Sequence, residues 1–426
     1  MINTVRPIGD VRPSAAEPVG AVGTYTPVTP RRILDTRSGL GAPKRIVGPG
    51  GIVHLQVGGR GGVPATGVSA VILNLTVTGT QGNGYLTAYP DGVTRPIASS
   101  INFTKGATRA NSVTVAVGAN GYVNIYQNSL GAHILADVAG YYSVDEAAPI
   151  GSTYFPQDPF RLGDTRQDPE GAVPGGGWIR YAITFGNAAD DASVTAIAMN
   201  VTAINPVNGG YLTTWNGVGD PPVGVSAVNY AKGGITPNSA TVPTAICEFC
   251  TGGTGYEPMF GVYTNTTTHW IVDVFGVYAK DENGLKFRPV TPQRILDTRQ
   301  TTAMRSGVRV VDSPASVTPE TYALSLNVAG VTPTANTYLT VWPNDGSDRP
   351  AVSTLNPYKG QTVANGTIAG LGDNQQFQIY NNSGVINVVA DMGGVFEYFP
   401  PVAQGARVAP SGPDLRRQAR TAASNR

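Results

Sequence analysis

Arg32-Ile33-Leu34-Asp35-Thr36-Arg37 recurs in the chain as Arg161-Leu162-Gly163-Asp164-Thr165-Arg166 and again as Arg294-Ile295-Leu296-Asp297-Thr298-Arg299. The three aspartates stand 129 and 133 positions apart. Later landmarks keep that period: Asn74 answers to Asn200 and Asn327, Tyr85-Leu86-Thr87 to Tyr211-Leu212-Thr213 and Tyr338-Leu339-Thr340, and Asn111 to Asn238 and Asn365. Each copy closes on Asp137-Val138-Ala139-Gly140, Asp273-Val274-Phe275-Gly276 or Asp391-Met392-Gly393-Gly394. A period of about 130 residues is too long for a propeller blade or solenoid unit, which run about 20 to 50 residues. Each copy is long enough to be a domain.

Within a copy the apolar residues recur every second position. Val71, Leu73, Leu75 and Val77 alternate with Asn74, Thr76 and Thr78, and Val113, Val115 and Val117 with Thr114 and Ala116. That is the pattern of half-buried antiparallel strands. Turn signals separate the runs at Gln81-Gly82-Asn83-Gly84, Asp91-Gly92 and Ala119-Asn120-Gly121. The expected fold is all-β: three tandem β-sandwich or jelly-roll-like domains with extended terminal arms. We place an N-terminal arm at 1–25, repeat 1 at 26–145, a divergent repeat 2 containing Cys-x-x-Cys at 146–282, repeat 3 at 283–400 and a basic tail at 401–426. The repeats are expected to sit in series.

Composition narrows the function. Only 13% of the 426 residues are charged and the formal net charge is +1, so the footprint of a dedicated nucleic-acid binder is missing. Two cysteines and three histidines supply little for a zinc site, and no metal or cofactor is expected. No apolar run is long enough to span a membrane as a helix. Met1 to Asp10 lacks the basic start and apolar run of a secretory signal, so folding in a cytoplasm is expected.

The order Arg-x-x-Asp-Thr-Arg, Gly-Tyr-Leu-Thr-x-Tyr-Pro, Ala-Asn-Ser-Val and Asp-Val-x-Gly-Tyr, complete from Arg32 to Tyr142, resembles a β-rich module of actinobacteria and their phages. The third copy, Arg294 to Phe396, keeps much of it but lacks the closing tyrosine. The second departs most, with Gly163 for leucine, Trp215-Asn216 for Tyr-Pro, and a cysteine-bearing insert. The resemblance implies secreted cell-envelope proteins or virion tail components, and attachment to or recognition of an actinobacterial envelope. The missing secretory signal favours the virion.

The repeated residues read first as structure. Asp35 and Arg37, with Asp164 and Arg166 and with Asp297 and Arg299, are expected to form a salt-bridged end to each module. Asp137, Asp273 and Asp391 are expected to pair with a motif arginine, Arg32 or Arg37 in the first copy and their counterparts Arg161 or Arg166 and Arg294 or Arg299 in the others. A glycosidase pair of Asp35 with Asp137 is the sharper alternative and the weaker one. Asn74, Asn200 and Asn327, with Asn111, Asn238 and Asn365, are expected to satisfy backbone groups at bulges or loop crossings. On that reading, Asn327→Leu destabilises the third domain alone. Cys247 and Cys250 form a loop disulfide or remain two thiols.

Tyr85 with Tyr89, Tyr211 with Trp215, and Tyr338 with Trp342 are candidate glycan contacts, each pair facing one side of a strand. Packing in a core or joint is the competing account. No nucleophile elbow, phosphate-binding loop or His common to the three copies points to catalysis, so a non-enzymatic role is expected. The leading reading is a structural virion protein of an actinobacterial phage, assembled in the host cytoplasm: a minor tail or tail-tip protein, or a capsid decoration protein, presenting β-domains for host attachment. The alternative is a secreted cell-surface module that binds wall polysaccharide. Expected partners are other virion proteins, further copies of the chain as a trimer or hexamer, and an envelope glycan, but neither a membrane span nor nucleic acid.

Overall fold

The computed structural model describes residues 20–251, 253–399 and 418–425. Most of the expected N-terminal arm and much of the basic tail lie outside the described residues. Module 1 runs β1 (Tyr25–Asp35), β2 (Ile52–Gln56), β3 (Val68–Thr78), β4 (Gly84–Pro90), β5 (Ile101–Phe103), β6 (Arg109–Ala116), β7 (Tyr122–Asn128) and β8 (His133–Ser143). Module 2 repeats it as β9 (Thr153–Asp164), β10 (Trp178–Thr184), a short helix α1 (Ala188–Ser193), β11 (Val194–Ile204), β12 (Gly210–Trp215), β13 (Val228–Tyr230), β14 (Ile235–Pro243), β15 (Ala245–Ile246), β16 (Pro258–Thr264) and β17 (His269–Ala279). Module 3 comprises β18 (Lys286–Asp297), β19 (Gly307–Asp312), β20 (Thr321–Val331), β21 (Leu339–Pro343), β22 (Thr362–Gly370), β23 (Gln376–Asn381) and β24 (Asn387–Glu397), and β25 (Gln418–Asn425) follows.

Each module is a sandwich of two antiparallel sheets. The inner sheets share one order, β1-β8-β3-β6, β9-β17-β11-β14 and β18-β24-β20-β22. The outer sheets are β2-β7-β4-β5, β10-β16-β12-β13 and β19-β23-β21. Alternation explains the layers: Val71, Leu73, Leu75 and Val77 on β3 pack against Leu86, Ala88, Val123 and Ile125 of the outer sheet, forming a closed core in module 1. Modules 2 and 3 have equivalent cores around Met199, Leu212 and Trp270, and around Leu326, Val341 and Ile379. In module 2 the open edge of β10 is paired along its length by β25, from Trp178 opposite Asn425 to Thr184 opposite Gln418. The end of the expected tail therefore caps a sheet edge.

The modules are not strung in series. They close into a ring around a pseudo-threefold axis, and the backbone itself shows the closure. Ser152 N–H donates to Tyr25 C=O at 2.8 Å, Leu285 N–H to Tyr154 C=O at 2.8 Å, and Phe287 N–H back to Gly23 C=O at 2.8 Å. The entry strands of modules 1, 2 and 3 thus join 1 to 2, 2 to 3 and 3 to 1. The polar face of each inner sheet, which alternation alone assigns to solvent, is turned toward the neighbouring modules. Ala70 and Ile72 on β3 belong to a cluster shared by all three modules, with Ala196, Ala198 and Ala323.

Candidate functional site

The repeated motif residues converge at the boundaries between modules. In module 1 the β8 carboxylate of Asp137 accepts from Arg32 Nε at 2.8 Å and Arg32 Nη2 at 3.0 Å. Arg161 and Arg294 make the same two-pronged contact with Asp273 and Asp391. The partner of the closing aspartate is therefore the first arginine of the motif. Each aspartate also reaches the next module around the ring: Ser226 N–H donates to Asp137 at 3.5 Å and Ser99 N–H to Asp391 at 3.1 Å, while Ser353 N–H bonds Asp273.

The second half of the motif ends the entry strand. Asp35 accepts from the backbone N–H of Arg37 at 2.9 Å and from its guanidinium at 2.7 and 3.0 Å. Asp164 with Arg166 and Asp297 with Arg299 repeat it. The threonine between them fastens the turn to the last strand of its module. Thr36 is bonded to His133, Thr165 to His269, and Thr298 donates to Asn387 Oδ1. Asn387 can stand where the other copies have histidine because both side chains place a hydrogen-bonding atom against the threonine hydroxyl.

The asparagines form a closed circuit. Asn74 Nδ2 donates to Ser226 C=O of module 2, Asn200 Nδ2 to Ser353 C=O of module 3 at 2.7 Å, and Asn327 Nδ2 to Ser99 C=O of module 1. Their side-chain oxygens accept from Asn238, Asn365 and Asn111, at 2.9, 2.9 and 2.8 Å. Those three asparagines then accept the backbone N–H groups of Ser112, Ser239 and Gly366, each in the preceding module around the ring. Loop crossings do take up these amides: Asn111, Asn238 and Asn365 also donate to Ser100, Ala227 and Thr354 C=O of their own modules, whereas Asn74, Asn200 and Asn327 reach loops of the next one, so the effect of Asn327→Leu is not confined to the third domain. A register shift at Ile72/Leu73, Ala198/Met199 and Ser325/Leu326 lies just before each mid-strand asparagine.

Sequence reasoning missed an aromatic cluster at the junction. Tyr25, Tyr154 and Phe287, ten positions before each motif aspartate, meet Tyr142, Tyr278 and Phe396, five positions after each closing aspartate. Ring centroids lie 4.4 Å apart for Tyr25 and Tyr278, 4.2 Å for Tyr142 and Phe287, and 4.7 Å for Tyr154 and Phe396. The repeat period held the signal, but substitution of phenylalanine for tyrosine in module 3 masked it. Burial pushes the hydroxyls of Tyr142, Tyr25, Tyr154 and Tyr278 well above the ordinary tyrosine range, so these rings stay neutral.

The carboxylates divide into two classes. Burial pushes Asp137 and Asp273 above the ordinary 3.8, with their arginines offsetting only part of it. Asp35 and Asp164 are also pushed up by burial, but the bonds from Arg37 and Arg166 outweigh it and hold them below 3.8; Asp297 is held down chiefly by Arg299. The raised pair favours the fold at low pH and loses that contribution as pH rises through its elevated values. The lowered trio favours the fold above 3.8 and loses it as pH falls through its depressed values. Melting temperature should therefore pass through a maximum in weak acid and drop below about pH 3.8. Thermal scans from about pH 3 to 7 check this. Arg37→Gln, Arg166→Gln and Arg299→Gln together should flatten the acid limb, and an unchanged limb would refute the assignment.

These sites leave little room for a substrate. The cleft lined by Ser99, Ser112, Ser239, Asn327, Gly366 and Asp391 measures about 60 Å³, enough for ordered water and far below a sugar-binding pocket. A groove of about 360 Å³ lies between Pro27 and Thr29 of module 1 and Thr244 and Tyr256 of module 2. Its carboxylate, Asp191, already accepts from Phe185 N–H and the hydroxyls of Thr184 and Thr254. Among the described residues no three His, Cys, Asp or Glu side chains cluster as metal ligands.

Of the candidate glycan contacts, Tyr89, Trp215 and Trp342 are each only 3% exposed. The Trp215 ring lies over Gly261, and loops cross above the strand, with Thr213 and Thr340 bonded to Val225 and Val352. Packing under those loops removes the three from the exposed pairs expected of them. Tyr85, Tyr211 and Tyr338 remain half-buried on the outer faces, each beside a second tyrosine, Tyr126, Tyr263 or Tyr380. Cys247 and Cys250 are joined as a disulfide, and Cys247 packs with Met259 and Ala182 over the outer sheet of module 2.

No family model and no curated protein matches the chain. Among solved structures it is similar to a chain described in "The Triple Jelly Roll Fold and Turret Assembly in an Archaeal Virus", at 11% identity over 91% of this chain and 99% of that one, with a TM-score of 0.16. It is also similar to a chain from the atomic structure of Sulfolobus Turreted Icosahedral Virus, at 10% identity over 89% and 92%, with a TM-score of 0.16. Likeness at that level assigns no role.

Proposed function

We propose that the chain is a structural, non-enzymatic virion protein of an actinobacterial phage, a minor tail, tail-tip or capsid decoration protein that presents β-domains to the host envelope. The observation that carries this reading is the closed ring. The asparagines and closing aspartates kept in all three copies make module-to-module contacts while the motif arginines hold each module's own end, and one chain supplies the three-part unit that a homotrimer would otherwise assemble. In each Asp35–Asp137 type of pair both carboxylates are clamped by arginine and the closing aspartate also binds a backbone N–H of the next module, so carboxylates of the right number are present but already engaged. Sequence resemblance supports the phage and the envelope as context. Other virion proteins and further copies of the chain are the partners this role requires.

Immunogold electron microscopy of purified particles of the encoding phage, using antibody to the chain, is expected to label one fixed location on the particle. Unlabelled particles would overturn the virion role. Co-sedimentation of the purified chain with intact actinobacterial envelopes is expected to saturate, and no pelleting at any concentration would remove the attachment part of the reading.

A further inference from the structure

We propose that the outer faces of modules 1 and 3 each carry a binding site for an acidic saccharide, built from two tyrosines and one arginine; this rests on the envelope-attachment reading. On the outer sheet of module 1, Leu86, Ala88, Val123 and Ile125 point into the sandwich, so Tyr85 and Tyr126 occupy the opposite face. Their centroids are 6.3 Å apart at 49°, and the guanidinium of Arg95 lies 3.7 Å over the Tyr126 ring. Module 3 repeats the arrangement. Tyr338 and Tyr380 are 5.9 Å apart at 54°, and Arg349 lies 4.1 Å over Tyr380 and donates to the Tyr338 hydroxyl at 3.3 Å.

Stacking on tyrosine holds each guanidinium flat and leaves hydrogen-bond donors at its rim, the geometry that matches a carboxylate or phosphate oxygen pair. Among the described residues neither arginine has an acidic side chain at ion-pair distance. Asp91, on the same loop as Arg95, is held by Asn120 and Asn124, each at 2.7 Å. The neighbouring tyrosine supplies an apolar face for a sugar ring.

Module 2 is the internal contrast. Tyr211 and Tyr263 persist at 6.3 Å, but Pro222 stands where the other copies have Arg95 and Arg349. Its own Arg180 is turned to Trp178 and to the Gly219 carbonyl, and the disulfide segment lies over the sheet beside them. Two of three equivalent faces therefore present an arginine stacked on the tyrosine pair, and the third lacks one.

The test is isothermal titration of the full chain with a glucuronate-containing tetrasaccharide and with its carboxyl-reduced, neutral counterpart. Two sites per chain are expected, with the neutral sugar binding about ten-fold weaker or more. Arg95→Gln and Arg349→Gln should each remove one site, and Tyr211→Phe neither. Tetrasaccharide binding untouched by the double arginine variant, equal binding of the neutral sugar, or no binding at all would each overturn the proposal. Envelope co-sedimentation by the wild-type chain separates the failures: envelopes bound without the tetrasaccharide sinks this inference alone, and no envelope binding sinks the attachment reading beneath it.

Discussion

Gly276→Ala is expected to lower the unfolding free energy by about 3 kcal/mol, the upper end of the range for overpacking a core. A Cβ at this position would lie 2.1 Å from the Tyr154 hydroxyl oxygen and 2.3 Å from the ring carbon bearing it. The ring cannot swing away, because Tyr154 is fully buried among the other junction aromatics and its hydroxyl donates to Phe275 C=O at 3.0 Å. Gly140 faces Tyr25 at 2.2 Å in the same way, and Gly394 faces Phe287 at 2.2 Å. The glycine after each closing aspartate is thus required by the approach of an entry-strand ring. Gly48→Ala is the control, since nothing lies within 4 Å of its Cβ position. Guanidinium unfolding should show a lower midpoint for Gly276→Ala and an unchanged one for Gly48→Ala. Equal midpoints for all three proteins would show that the junction is not packed as described.

Asn238→Leu should cost about 3 kcal/mol, because it removes the partner of three partly buried polar groups, each at the low end of about 1 to 3 kcal/mol. The lost partners are Ser112 N–H of module 1, Asn74 Oδ1 of module 1 and Ala227 C=O of module 2. Two of the three belong to another module, which sets where the damage is felt. Hydrogen exchange is expected to speed up at Ser112 on β6 as well as along β14. Exchange altered in module 2 alone would mean that the circuit between modules contributes nothing measurable. The same logic moves the effect of Asn327→Leu from the third domain to the boundary between modules 3 and 1, where its amide meets Ser99 and Asn111.

The period-two alternation of Val71, Leu73, Leu75 and Val77 was enough to read the strand, its inward face and the sandwich, because packing inside one module is a local consequence of which side each residue faces. Repetition of Arg32, Asp35, Arg37 and Asp137 was enough to read a salt-bridged module end for the same reason: Asp35 and Arg37 meet within one turn, and Arg32 and Asp137 lie on adjacent strands of one sheet. The aromatic candidates divided according to what covers them. Tyr85 and Tyr89 look alike on β4, yet a following loop buries one and leaves the other half-open, and loop paths carry no periodic signal.

The chain's residue pattern was sufficient for the all-β class, the threefold repetition and the pairing of charges within each copy. Closure of the three copies into a ring was settled only in the tertiary structure. Asn74, Asn111 and their counterparts are polar residues at alternate positions, indistinguishable in sequence from a solvated face. Their partners are loops roughly one repeat away, as with Asn74 and Ser226. A hydrogen bond across that separation depends on how whole modules dock, and docking is governed by the matching of two folded surfaces that exist only after each module has formed.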